Sequence, residues 1–121
     1  MHELSIAVSL VELACEEAER LGNVRVDALH LRLGSLAGVV EEALLFSFEL
    51  AAQGTAIEGA RLAIEHVPLT VLCPRCGEER APPSVQHLRC PTCDTPTPEI
   101  VRGRELELFA LEVQDGTPAH R

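Results

Sequence analysis

Lysine is absent from this chain, although the chain is 121 residues long and carries ten arginines. Without lysine it cannot form the G-x-x-x-x-G-K-S/T loop of P-loop nucleotide hydrolases, whose lysine binds phosphate. Tryptophan and tyrosine are also missing, and phenylalanine occurs three times, which leaves few side chains for stacking on bases. The formal net charge of −9 repels phosphate backbones, so general nucleic-acid binding is disfavoured.

A long apolar segment is missing too. The first 22 residues interleave apolar side chains with glutamates and lack a basic start, which is unlike a signal peptide or a membrane span. We therefore expect a cytoplasmic protein that does not bind membranes, built as one core with at most a small metal-stabilised appendage. In that reducing compartment, paired cysteines indicate a metal more readily than disulfides.

Four of the five cysteines form two C-x-x-C pairs, separated by a 13-residue loop. Two such turns facing each other place four sulfurs around one ion, and this closed tetrahedron leaves no position for a substrate. Thiolates favour zinc over hard cations, with iron as the main competitor. The sequence thus predicts a structural Zn(II) site, with two disulfides as the alternative; its ligands are Cys73, Cys76, Cys90 and Cys93.

Hydrophobic periodicity predicts two helices and three strands. The helices cover 4–21, closed by Gly22, and 40–52. The strands cover 24–33, with a phase slip near Ala28, then 60–72, and finally the segment ELELFALEV that ends at Val113. The apolar side of the first helix is predicted to hold Leu4, Val8, Val11, Cys15, Ala18 and Leu21.

This order predicts an α/β fold, in which a small three-stranded sheet with two helices carries an inserted zinc-ribbon module. Residues 1–69 and 104–121 would form the α/β core, and residues 70–103 would form the zinc-binding module. A loop of this length buries too little apolar area to fold alone, so we expect the metal to fold it.

A second candidate metal site is Met1-His2-Glu3 at the start of the chain. A free terminal amine, the backbone nitrogens of His2 and Glu3 and the His2 imidazole can close contiguous chelate rings around one ion. Planar four-nitrogen coordination favours Ni(II) or Cu(II) over zinc. A nearby carboxylate, such as that of Glu41 or Glu42, could add an axial oxygen. Taken alone, a histidine at position 2 is more often an exposed bystander.

The remaining histidines and the fifth cysteine have simpler interpretations. His30 lies on the polar phase of the first strand, which predicts a solvated face. His66 suits a strand end, and His87 suits an exposed position before the second cysteine pair. His120 falls in a tail that we expect to be disordered, and Cys15 is expected to be a small buried hydrophobe.

Several segments together resemble one known family. They are MHELSI at the start, GTAIEGARL at 54–62, VPLTVLCPRCG at the first cysteine pair, CPTC at the second and GRELELFALEV near the end. This combination resembles the HypA/HybF nickel metallochaperones of [NiFe]-hydrogenase maturation over nearly the whole chain. The cysteine pairs alone occur in many zinc proteins, whereas M-H-E joined to this helix and this ribbon is distinctive.

The resemblance implies a non-enzymatic carrier of Ni(II). In that family nickel binds through M-H-E, here Met1, His2 and Glu3 in the α/β core, and the four cysteines hold structural Zn(II). The implied partners are the GTPase HypB and the hydrogenase large-subunit precursor, with urease maturation proteins as further partners in some bacteria. Asp94, followed by Thr-Pro-Thr-Pro, departs from the small or glycine-containing turn of many relatives.

Two alternatives remain open at this point. One is a zinc-ribbon protein-interaction module without nickel delivery. The other is a zinc-ribbon nucleic-acid binder, which would depend on the local basic charge of Arg75, Arg80 and Arg89 and is disfavoured by the acidic balance of the whole chain.

Overall fold

A computed structural model describes the backbone of residues 2–118 and the side chains of residues 2–114. This part of the chain forms two helices and two three-stranded sheets, which confirms the predicted α/β fold with two helices, a small sheet and an inserted ribbon. The elements in chain order are α1 Glu3–Arg20, β1 Val24–Gly34, α2 Glu41–Ala52, β2 Arg61–Val67, β3 Thr70–Cys73, β4 Glu78–Arg80, β5 Glu99–Arg102 and β6 Leu106–Pro118.

Helix α1 ends where the sequence predicted. Gly22 follows it with φ +95°, and its N–H donates to the Glu19 carbonyl at 3.0 Å, while the Asn23 N–H donates to the Ala18 carbonyl at 2.8 Å. This pair of bonds is a Schellman motif, in which a glycine accepts the left-handed conformation and satisfies the last carbonyls of the helix.

The buried face of α1 differs from the predicted one. Leu4, Val8 and Leu21 are exposed, and the helix buries a stripe rich in alanine. Helix α1 packs against α2, and small buried residues on a helix allow a neighbouring element to approach its backbone closely. The buried residues are Ala7, Leu10, Val11, Ala14 and Ala18.

Helix α2 lies within the predicted range of 40–52. Leu44, Phe48 and Ala52 recur every four residues and are buried, as expected for one face of a helix. Glu41 and Glu42 occupy its first turn, where carboxylates interact favourably with the positive end of the helix dipole.

The first sheet has the strand order β2-β1-β6. Along β1, burial follows the predicted phase slip, because Ala28 and Leu29 are adjacent and both fully buried. Beyond the slip, Leu31 and Leu33 alternate as buried residues with the half-buried His30 and Arg32. The central strand therefore presents two distinct faces.

The single strand predicted over 60–72 is wrong. Strand β2 ends at Val67 and pairs in the first sheet, whereas β3 begins at Thr70 and is the central strand of the second. Pro68 lies between them, and its missing N–H and fixed φ end the first ladder.

The second sheet has the order β4-β3-β5, and both pairings are antiparallel. Val71 lies opposite Arg80 and Cys73 lies opposite Glu78. On the other side of β3, Leu72 lies opposite Glu99, and the register shifts between Thr70 and Val71. Cys73 is the last residue of β3, the central strand of this sheet.

The chain forms two compact units. The first comprises the residues up to Leu31, Gly38–Ile64 and the chain from Leu108 on; the second comprises Arg32–Ala37 and Glu65–Glu107. The division into a nickel-binding α/β core of residues 1–69 and 104–121 and a zinc-binding module of residues 70–103 stays a prediction. Neither described helix is long and apolar enough to cross a membrane.

Candidate metal centre

Two similar turns, or knuckles, carry the four cysteines. In the first, the Gly77 N–H donates to the Cys73 carbonyl at 2.8 Å, and in the second, the Asp94 N–H donates to the Cys90 carbonyl at 2.8 Å. Gly77 has φ +69° and Asp94 has φ +62°. A left-handed residue after each C-x-x-C pair thus turns the chain so that both sulfurs of the pair face the same point.

The four sulfurs, which we call the cysteine cluster, converge. The Sγ atoms of Cys73, Cys76, Cys90 and Cys93 all lie within 4.8 Å of one another. Cys93 is 3.5 Å from Cys73 and 3.7 Å from Cys76, and the Cys76–Cys90 separation is 3.9 Å. A tetrahedral zinc site with Zn–S bonds of 2.3 Å requires sulfur separations of about 3.8 Å, so this set could hold a metal ion such as zinc.

A disulfide arrangement does not match this geometry. All five cysteines are free in the structure, and the Cys73–Cys93 separation of 3.5 Å far exceeds the S–S bond of about 2.05 Å. Cys15, which the sequence predicted as a buried hydrophobe, is half-buried on α1. The cluster is therefore arranged for coordination and not for cross-linking.

Backbone and hydroxyl donors surround the cluster. The Cys76 N–H donates to Cys73 Sγ at 3.3 Å, and the Thr92 N–H donates to Cys90 Sγ at 3.4 Å. Thr95 Oγ1 lies 3.1 Å from Cys93 Sγ. Such donors stabilise sulfur in its anionic form and orient it toward a metal.

These contacts give the thiols different pKa values. Burial opposes ionisation of Cys90, yet hydrogen bonds from the Cys93 and Thr92 backbone lower its pKa to about 6. The Thr95 hydroxyl lowers the pKa of Cys93. In contrast, hydrogen bonds with Cys93 and Cys73 raise the pKa of Cys76 to about 12. A divalent cation would deprotonate such a thiol on binding.

The predicted nickel residues lie at the start of α1. Met1 falls outside the described residues. His2 is the N-cap residue of α1 and is exposed, and Glu3 is the first helical residue. The Glu3 carboxylate accepts a hydrogen bond of 2.9 Å from the Val40 N–H, which lowers the pKa of Glu3. The beginning of α2 is thus held beside the N-terminal residues, a contact that the sequence did not predict.

The other histidines differ in their surroundings. His30 lies on the polar phase of β1 as predicted, and its side chain is 33% exposed, with Nε2 3.3 Å from the exposed Glu112 Oε1 and a ring separation of 6.1 Å from Phe109. Both partners come from β6, which is distant in sequence. His66 and His87 are exposed, as expected for His87, and His120 lies outside the described residues.

Two residues interact with the cysteine cluster in a way that the sequence did not predict. Thr95 contacts Cys93, and Arg80 interacts with the side chains of Cys76 and Cys90. Thr95 lies two residues after Cys93 in the sequence, so its contact with that cysteine could have been predicted. Arg80 reaches the cluster through the pairing of β4 with β3, for which no spacing rule exists.

The fold and the cysteine cluster together define a small α/β protein with a four-cysteine cluster consistent with a zinc ribbon. A family model described as "Hydrogenase/urease nickel incorporation, metallochaperone, hypA" matches residues 1–113. The chain belongs to the HypA family, which confirms the resemblance inferred from its motifs. By family it is a maturation metallochaperone and not a catalytic enzyme.

Curated relatives match along nearly their whole length. A hydrogenase maturation factor HypA from Roseiflexus sp. (strain RS-1) is 56% identical over 118 residues, which cover 98% of this chain and 96% of the relative. A hydrogenase maturation factor HypA from Chloroflexus aurantiacus (strain ATCC 29366 / DSM 635 / J-10-fl) is 54% identical over 112 residues, covering 93% of this chain and 98% of the relative.

Two solution structures share the fold. One is of a HypA protein, with a TM-score of 0.68, covering 94% of this chain and 97% of the other. The second is of the Ni metallochaperone HypA from Helicobacter pylori, with a TM-score of 0.63, covering 93% of this chain and 97% of the other. Each is 21% identical to this chain, so this likeness establishes the fold alone.

Proposed function

We propose that this chain is a cytoplasmic carrier that delivers Ni(II) during [NiFe]-hydrogenase maturation and holds a structural Zn(II). The observation that carries the proposal is the family match, which spans residues 1–113 and so includes both the M-H-E start and the four cysteines. Nickel would bind at Met1, His2 and Glu3. Zinc would bind at Cys73, Cys76, Cys90 and Cys93.

The sulfur geometry supports the zinc part of the proposal. Four thiolates at tetrahedral separations occupy every coordination position of zinc, so no site is left for substrate or water. Cys73 and Cys90 are also buried, with exposed fractions of 0% and 2%. The ion would therefore supply folding free energy to the surrounding chain and take no part in chemistry.

The N-terminal geometry supports the nickel part. His2 is exposed, so its imidazole is accessible to an incoming ion. The Glu3–Val40 hydrogen bond brings the start of α2 close, and Glu41 and Glu42 follow directly in its first turn. These carboxylates are the candidates for an additional oxygen ligand beside the nitrogen donors.

Nitrogen ligation also provides a route to release. An imidazole and a terminal amine bind a metal only when unprotonated, so nickel affinity falls as pH falls through their pKa values. Copper would bind the same donors more tightly by the Irving–Williams order. Selectivity for nickel must then come from metal availability and from handover to a partner.

A nickel carrier requires partner proteins that receive the ion. We propose the GTPase HypB and the hydrogenase large-subunit precursor as partners of the nickel-loaded chain, with urease maturation proteins as further recipients. The family description includes both hydrogenase and urease nickel incorporation. Because the chain lacks lysine, the P-loop lysine needed for nucleotide hydrolysis would come from the partner.

Calorimetric nickel titration tests the proposal. His2→Ala should weaken nickel binding by at least about 100-fold, since it removes a primary ligand, whereas even indirect supporting residues contribute 10- to 100-fold. A residue added before Met1 should do the same, because it converts the terminal amine into an amide. The two changes should be non-additive, as a chelate that has lost either end is already lost.

His87→Ala is the matched control, because His87 is also exposed but lies in the second compact unit. It should leave nickel affinity unchanged. Circular dichroism and zinc content should be unaltered in all variants. Full nickel affinity in His2→Ala would refute the N-terminal site and favour the alternative, a zinc-ribbon interaction module without nickel delivery.

A further inference from the structure

Arg80, the last residue of β4, faces the cysteine cluster. It lies directly opposite Val71 on β3, while Cys73 lies opposite Glu78. Directly opposed residues in an antiparallel pair project from the same side of the sheet, and so do residues two apart on one strand. The Arg80 side chain is therefore on the same side of this sheet as the side chain of Cys73.

The guanidinium is unusually buried for an arginine. Its side chain is 25% exposed, and Nη1 donates to Glu78 Oε1 at 2.9 Å. The group also interacts with the side chains of Cys76 and Cys90. Its Nε atom is buried and has no hydrogen-bond partner among the described residues. A buried cationic donor with spare capacity therefore lies beside the sulfurs.

Charge explains why such a donor belongs there. Four thiolates around one Zn(II) leave a net charge of −2, and burying an unbalanced charge is costly. Glu78 is the other partner of Arg80, but its side chain is 67% exposed, so water screens that pair. On the second knuckle, Arg89 directs its Nη1 to the Asp94 carbonyl at 2.7 Å.

We propose that Arg80 is a positioning residue of the metal centre, whose guanidinium compensates the negative charge of the metal-bound thiolates and retains zinc. This rests on the proposed zinc site. Because hydrogen bonds and positive charge draw electron density from sulfur, Arg80 also makes Cys76 and Cys90 less nucleophilic than they would be without it. The centre is thereby protected from alkylation and metal exchange.

Zinc competition with a chromophoric chelator, at fixed pH and salt, tests the first consequence. Arg80→Gln removes the charge and keeps a shorter polar side chain, and it should weaken zinc binding by about 10- to 100-fold. Arg80→Lys retains the charge but not the planar fork, and should stay within about 10-fold of wild type. Arg75→Gln is the matched control, since Arg75 lies in the first knuckle but is exposed, and it should bind zinc like wild type.

Alkylation by iodoacetamide tests the second consequence. If Arg80 only stabilised the fold, its loss would not make Cys76 and Cys90 selectively more reactive than Cys73. In zinc-loaded Arg80→Gln, Cys76 and Cys90 should be modified faster than in wild type, and faster relative to Cys73, as measured by mass spectrometry of peptides. Arg75→Gln should retain the wild-type pattern.

The outcomes separate this inference from the proposed zinc site. Wild-type protein that binds no zinc would refute the site itself. Normal zinc binding in wild type, with equal affinity and alkylation in Arg80→Gln and Arg75→Gln, would overturn only the role of Arg80. If Arg80→Gln does not fold, Arg80→Lys decides: near-wild-type zinc affinity supports charge compensation, and a loss above 100-fold contradicts it.

Discussion

At the scale of single residues, Asp94 has the same backbone role in the second knuckle that Gly77 has in the first. Both have positive φ, and both donate an N–H to the carbonyl of the first cysteine of their pair. Aspartate tolerates the left-handed region better than most residues, because its short polar side chain can bond locally. The second knuckle therefore closes without a glycine.

Substitutions at position 94 should separate backbone conformation from side-chain chemistry. Asp94→Val should destabilise the unit around the cysteines by about 2 kcal/mol, because a β-branched residue is strained at positive φ. Asp94→Gly should change stability by less than about 1 kcal/mol, since glycine adopts this conformation freely but adds entropy to the unfolded chain. Urea unfolding in zinc-saturated buffer measures both, and equal losses in the two variants would contradict this role.

At the scale of elements, α1 shows how tertiary packing decides which helix face is buried. The large apolar residues Leu4, Val8 and Leu13 are exposed, whereas Ala7 and Ala14 are fully buried. Hydrophobic periodicity predicted the position of the helix correctly, but it placed large apolar side chains on the buried face and overlooked small ones such as Ala7 and Ala14. The face that is buried depends on tertiary packing, which includes the packing of α2 against α1, and no local pattern contains that information.

The starts of the two helices are joined by the Glu3–Val40 hydrogen bond. The Val40 N–H stabilises the carboxylate and lowers the pKa of Glu3 below its ordinary value of 4.5. A depressed folded-state pKa contributes stability that is fully present above the unfolded value and is lost as pH falls through the folded value. The hydrogen bond between Glu3 and Val40 should therefore contribute less stability in acid.

We predict that the stability contributed by the Glu3–Val40 hydrogen bond depends on pH. The difference in urea midpoint between wild type and Glu3→Gln, followed by helical circular dichroism, should be largest above the ordinary glutamate pKa and should shrink as the pH falls through the lowered pKa of Glu3. Glutamine can still accept the Val40 hydrogen bond but cannot ionise. Glu12→Gln, exposed on the same helix, controls for the loss of one charge. A difference that does not vary with pH would disprove the contribution of the ionised carboxylate.

At the scale of the whole molecule, local chemistry was predictable and long-range pairing was not. The glycine closing α1, both C-x-x-C knuckles and the range of α2 follow from short patterns. The assignment of residues 60–72 to two sheets and the contact of His30 with Glu112, 82 positions away, depend on strand order. The cysteine cluster was predicted by spacing, whereas Arg80 joins it only through strand register.

The two compact units also differ in how they are stabilised. Among the described side chains, 18 hydrophobic residues are buried, of which 14 lie in the unit containing the helices and 4 in the unit containing the cysteines. Two of those 4 are Cys73 and Cys90 themselves. The described part of the second unit therefore has almost no apolar core apart from these cysteines, and we expect its folding to depend on metal.

Metal removal should then unfold the molecule in part. A strong chelator at neutral pH should abolish amide hydrogen-exchange protection in β3, β4 and β5, while α1 and α2 keep theirs, because their packing uses buried leucine, alanine and phenylalanine side chains. Cys76→Ser should reproduce this pattern without chelator, and added zinc should restore protection only in the wild type. Simultaneous loss of protection in the helices and the second sheet would show that one cooperative core, and not the metal, holds the cysteine-containing unit together.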